Sequence, residues 1–287
     1  AMATATPFRR VAVIGTGLIG GSFALALRKQ FPDTIVVGYN RAGSLERAVA
    51  RGVIQEAVSE IALAVRGADL VYISLPIGAT IDALATIAAA AEPHALVTDV
   101  GSTKTAICKA ASAHFRGGAR FLGAHPMAGK EKTGVDHADA ELFRGASYAL
   151  IANESDSDPR VKAFAEIVRA IGAQPVWTDA DTHDWAVGIV SHLPQLVSIA
   201  LAQVVSDETD ETGMPLTLAG PGLHDMLRLA GSPYNIWRDI LLTNTDNAAR
   251  ALDRLAQAID HLRRNLASKE LEQEFTAANE VYKLLRK

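Results

Sequence analysis

The chain has little cysteine and little excess charge. Its single cysteine, Cys108, cannot form a disulfide within the chain, and no group of Cys and His residues has the spacing of a metal site, so no bound metal is predicted. The net charge is −4 and no dense Lys/Arg run occurs, which argues against nucleic acid or an anionic membrane as the main partner.

Long apolar runs are also lacking. None reaches the ~18 residues that a membrane span needs. The first residues, AMATATPFRR, contain no apolar signal core. We therefore expect a cytoplasmic protein that does not act at a membrane.

Apolar residues are nevertheless plentiful, since they make up 49% of the 287 residues, enough for a sizeable core, and the length favours two domains. In the first half, short apolar runs alternate with helical patterns, which predicts a mostly parallel sheet with helices on both faces. The predicted elements are strands at 11–14, 34–39, 69–75 and 95–99, and helices at 18–29, 44–51 and in the Ala-rich stretch 77–91. Two later runs, 146–152 and 174–178, would extend the sheet, with a helix between them that begins at Asp158 or Pro159 and ends at Gly172.

After Thr178 the pattern changes to helix. Residues 179–184 (DADTHD) are interpreted as a polar linker able to cap a helix, and 185–205 as a long apolar helix interrupted at Pro194. A further apolar stripe has steps of three and four residues and consists of Leu252, Leu255, Ile259, Leu262 and Leu266. The stripe either packs within an all-helical domain or forms the seam of a dimer. We predict an α/β domain at 8–179 and an all-α domain at 182–287.

The clearest motif lies at the start. Residues 15–20 (GTGLIG) fit G-x-G-x-x-G, follow a predicted strand and open a predicted helix, which is the context of a dinucleotide site. Gly15 would permit the tight turn, Gly17 the approach of the pyrophosphate and Gly20 close packing of helix and strand. The helix N-terminus would offer N–H groups to the phosphates. The motif predicts a Rossmann domain; a glycine-rich turn without a ligand is the alternative.

The end of the second strand bears on the choice of cofactor. An NAD site usually has an acidic residue there, whereas this chain has Asn40 and Arg41. Arg41 would pair with a 2′-phosphate and Ser44 would add a hydrogen bond, so NADP is predicted, with NAD left open; otherwise Arg41 is a solvated loop charge. The predicted cofactor contacts are Gly15, Gly17, Leu18, Ile19, Gly20, Asn40, Arg41, Ser44, Ser74 and Pro76.

Two later segments carry residues suited to chemistry. Ser102, in 98–104 (TDVGSTK), follows a strand and is expected to face the ligand crevice, to cap the next helix, or both. His125, in 123–131 (GAHPMAGKE), is a candidate proton acceptor that Glu131 would orient, although a histidine at a strand end is often structural.

The predicted helical half adds a further group. Ser191, His192 and Gln195 lie in SHLPQ, inside an apolar helix where polar side chains need partners or a ligand. Arg228 lies within 226–230 (MLRLA), and an arginine in apolar company either binds a substrate carboxylate or forms a buried ion pair within the chain.

Together these segments resemble the prephenate dehydrogenase family, which includes arogenate and cyclohexadienyl dehydrogenases. The matching stretches are VIGTGLIGGS, DVGSTK, HPMAGKEKTG, SHLPQ and the block 220–244, which contains GSPYNIWRDI. The resemblance implies a nucleotide domain followed by a helical dimerisation domain, an NAD(P) cofactor and a homodimer. It also implies oxidative decarboxylation of prephenate to 4-hydroxyphenylpyruvate, in tyrosine biosynthesis, or of arogenate to tyrosine.

The resemblance also implies roles for the residues of the reacting centre. His125 matches the histidine that accepts the proton of the ring hydroxyl, Ser102 matches a serine that contacts the same hydroxyl, and Glu131 matches an acidic residue near that histidine.

Four further positions match residues around the substrate. Arg228 matches the arginine that grips a substrate carboxylate, His192 the first position of the helix motif, and Trp237 an aromatic that lines the site. Where several prephenate enzymes have a second histidine, near the substrate side chain, this chain has Gln195. Because Gln can donate to a keto group or accept from an ammonium, the choice between prephenate and arogenate stays open.

Two other functions fit part of this pattern. Dehydrogenases of the β-hydroxyacid or 6-phosphogluconate kind also pair Asn-Arg with NADP, but they generally rely on a lysine in the helical domain, and no lysine occurs from Trp185 to Asn265. A dinucleotide-binding dimer without enzyme activity would keep the glycines but would need neither His125 nor Arg228.

Overall fold

The structure, a computed structural model, describes residues 7–41, 44–130 and 132–286. Six parallel strands form the main sheet in the order β3-β2-β1-β4-β5-β6, the strand order of a Rossmann fold. They are β1 (Arg10–Ile14), β2 (Ile35–Tyr39), β3 (Glu56–Val58), β4 (Leu70–Ile73), β5 (Leu96–Asp99) and β6 (Arg120–Leu122). The predicted α/β class is confirmed, and four of these strands were expected. β3, with two exposed residues, lacks the apolar run by which a strand is recognised.

Helices cover both faces of this sheet: α1 (Leu18–Gln30), α2 (Leu45–Ala50), α3 (Ile61–Val65), α4 (Ile77–Ala90), α5 (Thr105–His114) and α6 (Pro159–Ala170). The strand side chains alternate between two cores, because successive residues point to opposite faces. Val11 and Val13 belong to one buried cluster, whereas Ala12 and Ile14 belong to the other. A strand buried on both faces is therefore continuously apolar, as the sequence of β1 is.

A second sheet contains β7 (Ala124–Pro126), β8 (Ser147–Ile151) and β9 (Gln174–Thr178). The prediction that 146–152 and 174–178 extend the main sheet is wrong. The chain turns at Gly123 after β6, so β8 pairs with β7 in antiparallel register, and β9 adds to β8 in parallel. The predicted ends of α6 do occur, since Asp158 caps it by accepting from the Arg160 N–H at 2.9 Å and Gly172 follows it with φ +89°.

A buried aromatic contact joins the two sheets. The hydroxyls of Tyr72 on β4 and Tyr148 on β8 lie 2.8 Å apart, and Phe23 stacks on Tyr72 with ring centroids 3.8 Å apart. Burial raises the pKa of both tyrosines, so they stay neutral and hydrogen-bonded. This pair fixes β8, and with it β7, against the main sheet.

The segment predicted as a polar linker is helical. α7 (Ala180–Val187) begins directly after Asp179, whose carboxylate accepts from the Thr182 N–H at 2.8 Å as an N-cap. A π-helical turn (Gly188–His192) follows and leads into α8 (Leu193–Glu208), which has Pro194 in its first turn. The interruption thus precedes the proline, which a helix tolerates at its N-terminus because no N–H is needed there.

This helical stretch is also apolar. Among the described residues one helix, Ala180–Glu208, is long and apolar enough to cross a membrane, by length and composition only. The sequence of this helix is not an uninterrupted apolar run, because it contains polar residues such as His192 and Gln195. The core helices of soluble proteins pass the same test.

The chain divides into two compact units that do not follow sequence order. The first runs to Val187 and takes in Gly231–Asn244, and therefore includes α11 (Tyr234–Thr243); the second is Gly188–Ala230 with the residues from Thr245 onward. The second unit contains α8, α9 (Met214–Thr217), α10 (Pro221–Leu227), α12 (Thr245–Asn265) and α13 (Glu272–Leu284). The expected boundary between 179 and 182 remains a prediction.

Four residues of the apolar stripe, Leu252, Leu255, Ile259 and Leu262, lie on α12, and Leu266 directly follows that helix. Leu252, Ile259, Leu262 and Leu266 are all exposed in the single chain. Packing within one chain therefore leaves these four side chains uncovered.

Candidate dinucleotide and active site

The turn after β1 depends on glycines, because at two of its positions a Cβ would collide with the backbone. Gly15 has φ +99°, and a Cβ there would lie 2.2 Å from the Ser74 carbonyl oxygen. A Cβ on Gly20 would lie 2.0 Å from the Gly15 carbonyl oxygen, whereas a Cβ on Gly17 would meet nothing within 4 Å. Gly15 and Gly20 are therefore required by packing. Gly17 leaves open space at the N-terminus of α1, which is what a pyrophosphate needs in order to approach the backbone.

The end of β2 carries the residues predicted to select the cofactor. Asn40 donates to Thr16 Oγ1 at 3.1 Å and accepts from the Arg41 N–H at 2.8 Å, so both ends of its amide are fixed. Ser44 lies at the start of α2, 3.4 Å from the Arg41 carbonyl oxygen. A cavity of about 430 Å³ is lined by Asn40, Arg41, Pro76 and Asp82 among others.

A second cavity, of about 530 Å³, opens at the carboxyl ends of β1, β4 and β5. Its lining includes Gly17, Leu18, Ile19, Ser74, Pro76 and Ser102. In an open α/β sheet, ligands bind at this edge, where the strand order reverses. The structure thus brings Ser102 together with predicted cofactor contacts. Ser102 does not cap α5, because the N-cap position is Lys104.

Helix α11 forms another wall of this cavity. Asn235, Ile236 and Asp239 line it, and none of them was selected from the sequence. Asp239 accepts from the Gly78 N–H in the first turn of α4 at 3.1 Å. This bond and the neighbouring Arg238 lower the pKa of Asp239, as expected for a carboxylate at a helix N-terminus. These residues belong to the matched stretch GSPYNIWRDI, but nothing in that stretch indicated that it would pack against α4.

Trp237, predicted to line the site, lies on the same helix. It packs against a buried cluster of Ile77, Ile107 and Ile240. Its contribution to α11 is therefore to anchor the helix on the first unit.

The turn after β5 contains a fully buried ion pair. Lys104 Nζ lies 2.5 Å from Asp99 Oδ2 and donates to the Ala124 carbonyl oxygen at 2.6 Å, and both side chains have 0% exposure. Asp99 also accepts from the N–H groups of Gly101 and Ala124. The pair fixes Ala124, the residue before His125, to the end of β5. Both residues belong to the matched stretch DVGSTK, yet neither was assigned a role.

His125 lies in the middle of β7, half-buried and opposite Ala149 of β8. Its Nδ1 is 2.9 Å from Nε2 of His183, and Nδ1 of His183 is 2.8 Å from Asp184 Oδ1. His183 and Asp184 were missed because they fall in the supposed linker. Their sequence signal is the one that His192 also gives, since polar residues beside an apolar helix need partners.

Glu131 lies outside the described residues, so its predicted role stays a prediction. The single cysteine has no sign of reactivity, since burial raises the pKa of the Cys108 thiol to about 12.

The remaining candidates belong to the second unit. His192 is buried, and Gln195 donates to the Leu229 carbonyl oxygen at 2.9 Å. Ser198 donates to the Met226 carbonyl oxygen at 2.8 Å, so two side chains of α8 hold the backbone on either side of Arg228. Arg228 itself is exposed, so it does not belong to a buried ion pair.

Family models account for almost the whole chain. Residues 23–177 match the prephenate dehydrogenase nucleotide-binding domain, and 179–279 match the prephenate dehydrogenase dimerization domain.

The chain belongs to the prephenate dehydrogenase family.

Individual members of the prephenate dehydrogenase family agree. A prephenate dehydrogenase of Bacillus subtilis is 32% identical over 92% of this chain and 72% of its own length. The crystal structure of prephenate dehydrogenase from A. aeolicus, in complex with hydroxyphenyl propionate and NAD+, has 26% identity and a TM-score of 0.89, covering 99% of this chain and 100% of that one. Arogenate dehydrogenase of Synechocystis has 29% identity and a TM-score of 0.83, with 96% and 99% covered.

Membership of the prephenate dehydrogenase family makes the chain an oxidoreductase with a nucleotide-binding domain for NAD(P). The predicted family, enzyme class and Rossmann fold are confirmed. The rival hydroxyacid dehydrogenases share the fold alone: the 3-hydroxyisobutyrate dehydrogenase of Mycobacterium tuberculosis is 18% identical, with a TM-score of 0.52.

Proposed function

We propose that this chain oxidises and decarboxylates prephenate to 4-hydroxyphenylpyruvate with a nicotinamide dinucleotide, in tyrosine biosynthesis. The observation that carries the proposal is the cavity of about 530 Å³, where Ser102 meets the glycine turn at the carboxyl ends of the strands. The family and the name of the Bacillus subtilis relative support the choice of substrate.

The residues of the first unit fit a dinucleotide. The open space at Gly17 and the backbone N–H groups of the first turn of α1 suit a pyrophosphate. The cavity beside Asn40 and Arg41 suits the adenosine end of the dinucleotide. When bound, the nicotinamide takes up the electron pair that the substrate ring loses.

NADP is the proposed preference. The end of β2 carries no carboxylate to repel a 2′-phosphate, and Arg41 is an exposed cation beside the cavity. Asp82 lines the same cavity, and a carboxylate suits a free ribose 2′-hydroxyl, so NAD is the alternative.

The chain's own groups then have separate tasks. We assign His125 as the base that accepts the proton of the ring hydroxyl, and Ser102 as the hydroxyl that holds the ring beside the cofactor. Removing that proton raises electron density on the ring carbon, which favours its oxidation, and a base of this kind contributes about 10²–10⁴ in rate. Arg228 is proposed to bind a substrate carboxylate, since its guanidinium is exposed on a turn held by α8. Three further roles implied by the family resemblance are also proposed. Glu131 is the acidic residue near His125, His192 belongs to the helix motif at the substrate, and Trp237 is an aromatic that lines the site.

Arogenate is the second candidate substrate. Gln195 stands at the position of the second histidine and donates its amide N–H to the Leu229 carbonyl oxygen. Because this bond holds the turn that carries Arg228, Gln195 does not decide between the keto group of prephenate and the ammonium of arogenate. The 29% identity to the Synechocystis arogenate dehydrogenase supports this alternative.

A homodimer formed through the second unit is also proposed, with the exposed side chains of the apolar stripe, on α12 and directly after it, at the interface. Action in the cytoplasm is proposed as well. The match of 179–279 to a dimerization domain and the four exposed apolar residues of the stripe support the dimer. Sedimentation of the full chain should give twice the monomer mass, and a monomer would contradict this part.

The test of the function is an assay of four combinations, prephenate or arogenate with NAD or NADP, following the reduced cofactor. We expect turnover with prephenate, and with NADP above NAD. His125→Ala should lower kcat by about 10²–10⁴ while cofactor affinity is unchanged. His114→Ala is the matched control, because His114 is exposed at the end of α5. No turnover in any combination, or a fully active His125→Ala, would contradict the proposal.

A further inference from the structure

Behind His125 lies a chain of three side chains that ends in a buried carboxylate. His125 Nδ1 faces His183 Nε2 at 2.9 Å, and His183 Nδ1 faces Asp184 Oδ1 at 2.8 Å. The side chains of His183 and Asp184 are only 3% and 2% exposed. Only His125, which is half-buried, retains access to a ligand.

The charge at the end of this chain is fixed by the start of α5. Asp184 Oδ1 accepts from the Lys104 N–H at 2.7 Å, and Oδ2 accepts from the Thr105 N–H at 2.9 Å. Burial alone would raise the pKa of Asp184, but the bonds from His183 and these two amides outweigh it and hold the pKa below the usual value. Asp184 is therefore an anion at neutral pH and only accepts hydrogen bonds.

The position of each proton follows from that anion. His183 must donate from Nδ1 to Asp184, so neutral His183 has its lone pair on Nε2. His125 must then donate from Nδ1 to His183, which places the lone pair of neutral His125 on Nε2.

We propose that His183 and Asp184 are positioning residues that fix His125 as the tautomer with a basic Nε2 and stabilise its protonated form. When Nε2 of His125 takes up one proton, the ring becomes a cation, while its Nδ1–H stays bonded to His183. The carboxylate of Asp184 then acts on that cation through one intervening ring, so His125 is a stronger base than it would be alone. This inference rests on the proposed role of His125 as the base.

Within the ranges that the structure describes, the other ionisable groups on the elements packed against β7 do not supply this effect. They are Asp99 at the end of β5, Lys104 and Cys108 at the start of and within α5, and Tyr148 on β8. Asp99 and Lys104 neutralise each other at 2.5 Å, while burial keeps Cys108 and Tyr148 uncharged. Asp184 is thus the anion that is coupled to His125 by hydrogen bonds.

The first experiment replaces the middle of the chain. His183→Leu keeps a buried apolar volume but breaks both hydrogen bonds, whereas His183→Gln can still donate to Asp184 and accept from His125. For His183→Leu we expect kcat to fall about tenfold to a hundredfold with KM within twofold, as for other losses of a supporting hydrogen bond. The acid limb of the profile of kcat/KM against pH should move to lower pH, because His125 loses the anion that favours its charged form. His183→Gln should recover part of kcat.

A readout without turnover separates this inference from the proposed function. ¹⁵N spectra of the histidine rings in the full chain should show neutral His125 protonated on Nδ1, with a lower pKa in His183→Leu than in the unchanged protein. Neutral His125 protonated on Nε2, or an unchanged pKa and acid limb in His183→Leu, would overturn the proposal. If no substrate is turned over but the spectra behave as expected, the proposed function fails while the hydrogen-bonded chain stands.

Discussion

The turns after β1 and after β5 border the same cavity but are built in opposite ways. The first depends on the lack of a Cβ, because the surroundings of Gly15 and Gly20 have no room for one, while Gly17 leaves open space. The second depends on buried charge, since Asp99 and Lys104 pair with no exposure and Asp184 binds the backbone amides that follow. Added side-chain volume should therefore destabilise the turn after β1, whereas loss of a single charge should destabilise the turn after β5.

Removing one charge from the turn after β5 should have the largest effect on stability. Lys104→Met leaves Asp99 buried without its partner, which typically costs about 3–5 kcal/mol of the free energy of unfolding. Urea denaturation of the full chain measures this value.

The double variant Asp99→Asn, Lys104→Met is the control. It should be more stable than Lys104→Met alone, because no unpaired charge then remains. A single variant that loses less than about 1 kcal/mol would show that the turn does not depend on its charges.

Added volume in the glycine turn should have a smaller effect on stability. Gly20→Ala places a methyl group against the Gly15 backbone, and overpacking of this kind costs about 1–3 kcal/mol. Gly17→Ala is the matched variant, because its methyl group meets no protein atom.

We expect Gly17→Ala to change the free energy of unfolding by less than about 1 kcal/mol. Its affinity for NAD or NADP, measured by calorimetry, should nevertheless fall about tenfold or more, a loss of about 1.4 kcal/mol. Equal effects of the two variants on both quantities would remove the distinction between packing and ligand space.

The smallest effect is expected at Cys108, which lies beside the charged turn on α5. Its thiol pKa of about 12 leaves almost no thiolate at neutral pH, so alkylation by iodoacetamide should be slow until urea unfolds the chain. Mass spectrometry of the labelled protein measures the rate. Rapid labelling of the folded chain would mean that the start of α5 opens more readily than its buried hydrogen bonds imply.

The same contrast explains what the sequence predicted. The glycine turn is local, so residues 15–20 sufficed to place it, and the strands buried on both faces were visible as apolar runs. The partners of the charged turn come from far along the chain: Lys104 meets Asp184 across 80 residues, and His125 meets His183 across 58.

Local patterns misled where tertiary contacts decide. Residues 179–184 looked like a linker because their buried partners were not visible, and the separate sheet of β7, β8 and β9 depends on the turn at Gly123. The family resemblance supplied His125, Ser102 and Arg228 as candidates, but not the groups that hold them.

Helix α11 has a consequence for any attempt to isolate the nucleotide-binding part. It comes more than forty residues after Val187, yet it belongs to the first unit. Asp239 accepts from the first turn of α4, and Thr243 Oγ1 lies 2.7 Å from Thr103 Oγ1. Asn244, which follows the helix, donates to the Asp184 carbonyl oxygen at 2.8 Å. A fragment cut at the end of α7 would bare Ile77 and Ile107 and lose one side of the cofactor cleft. Such a fragment should therefore aggregate and bind dinucleotide poorly, unless a peptide that carries 231–244 is supplied with it.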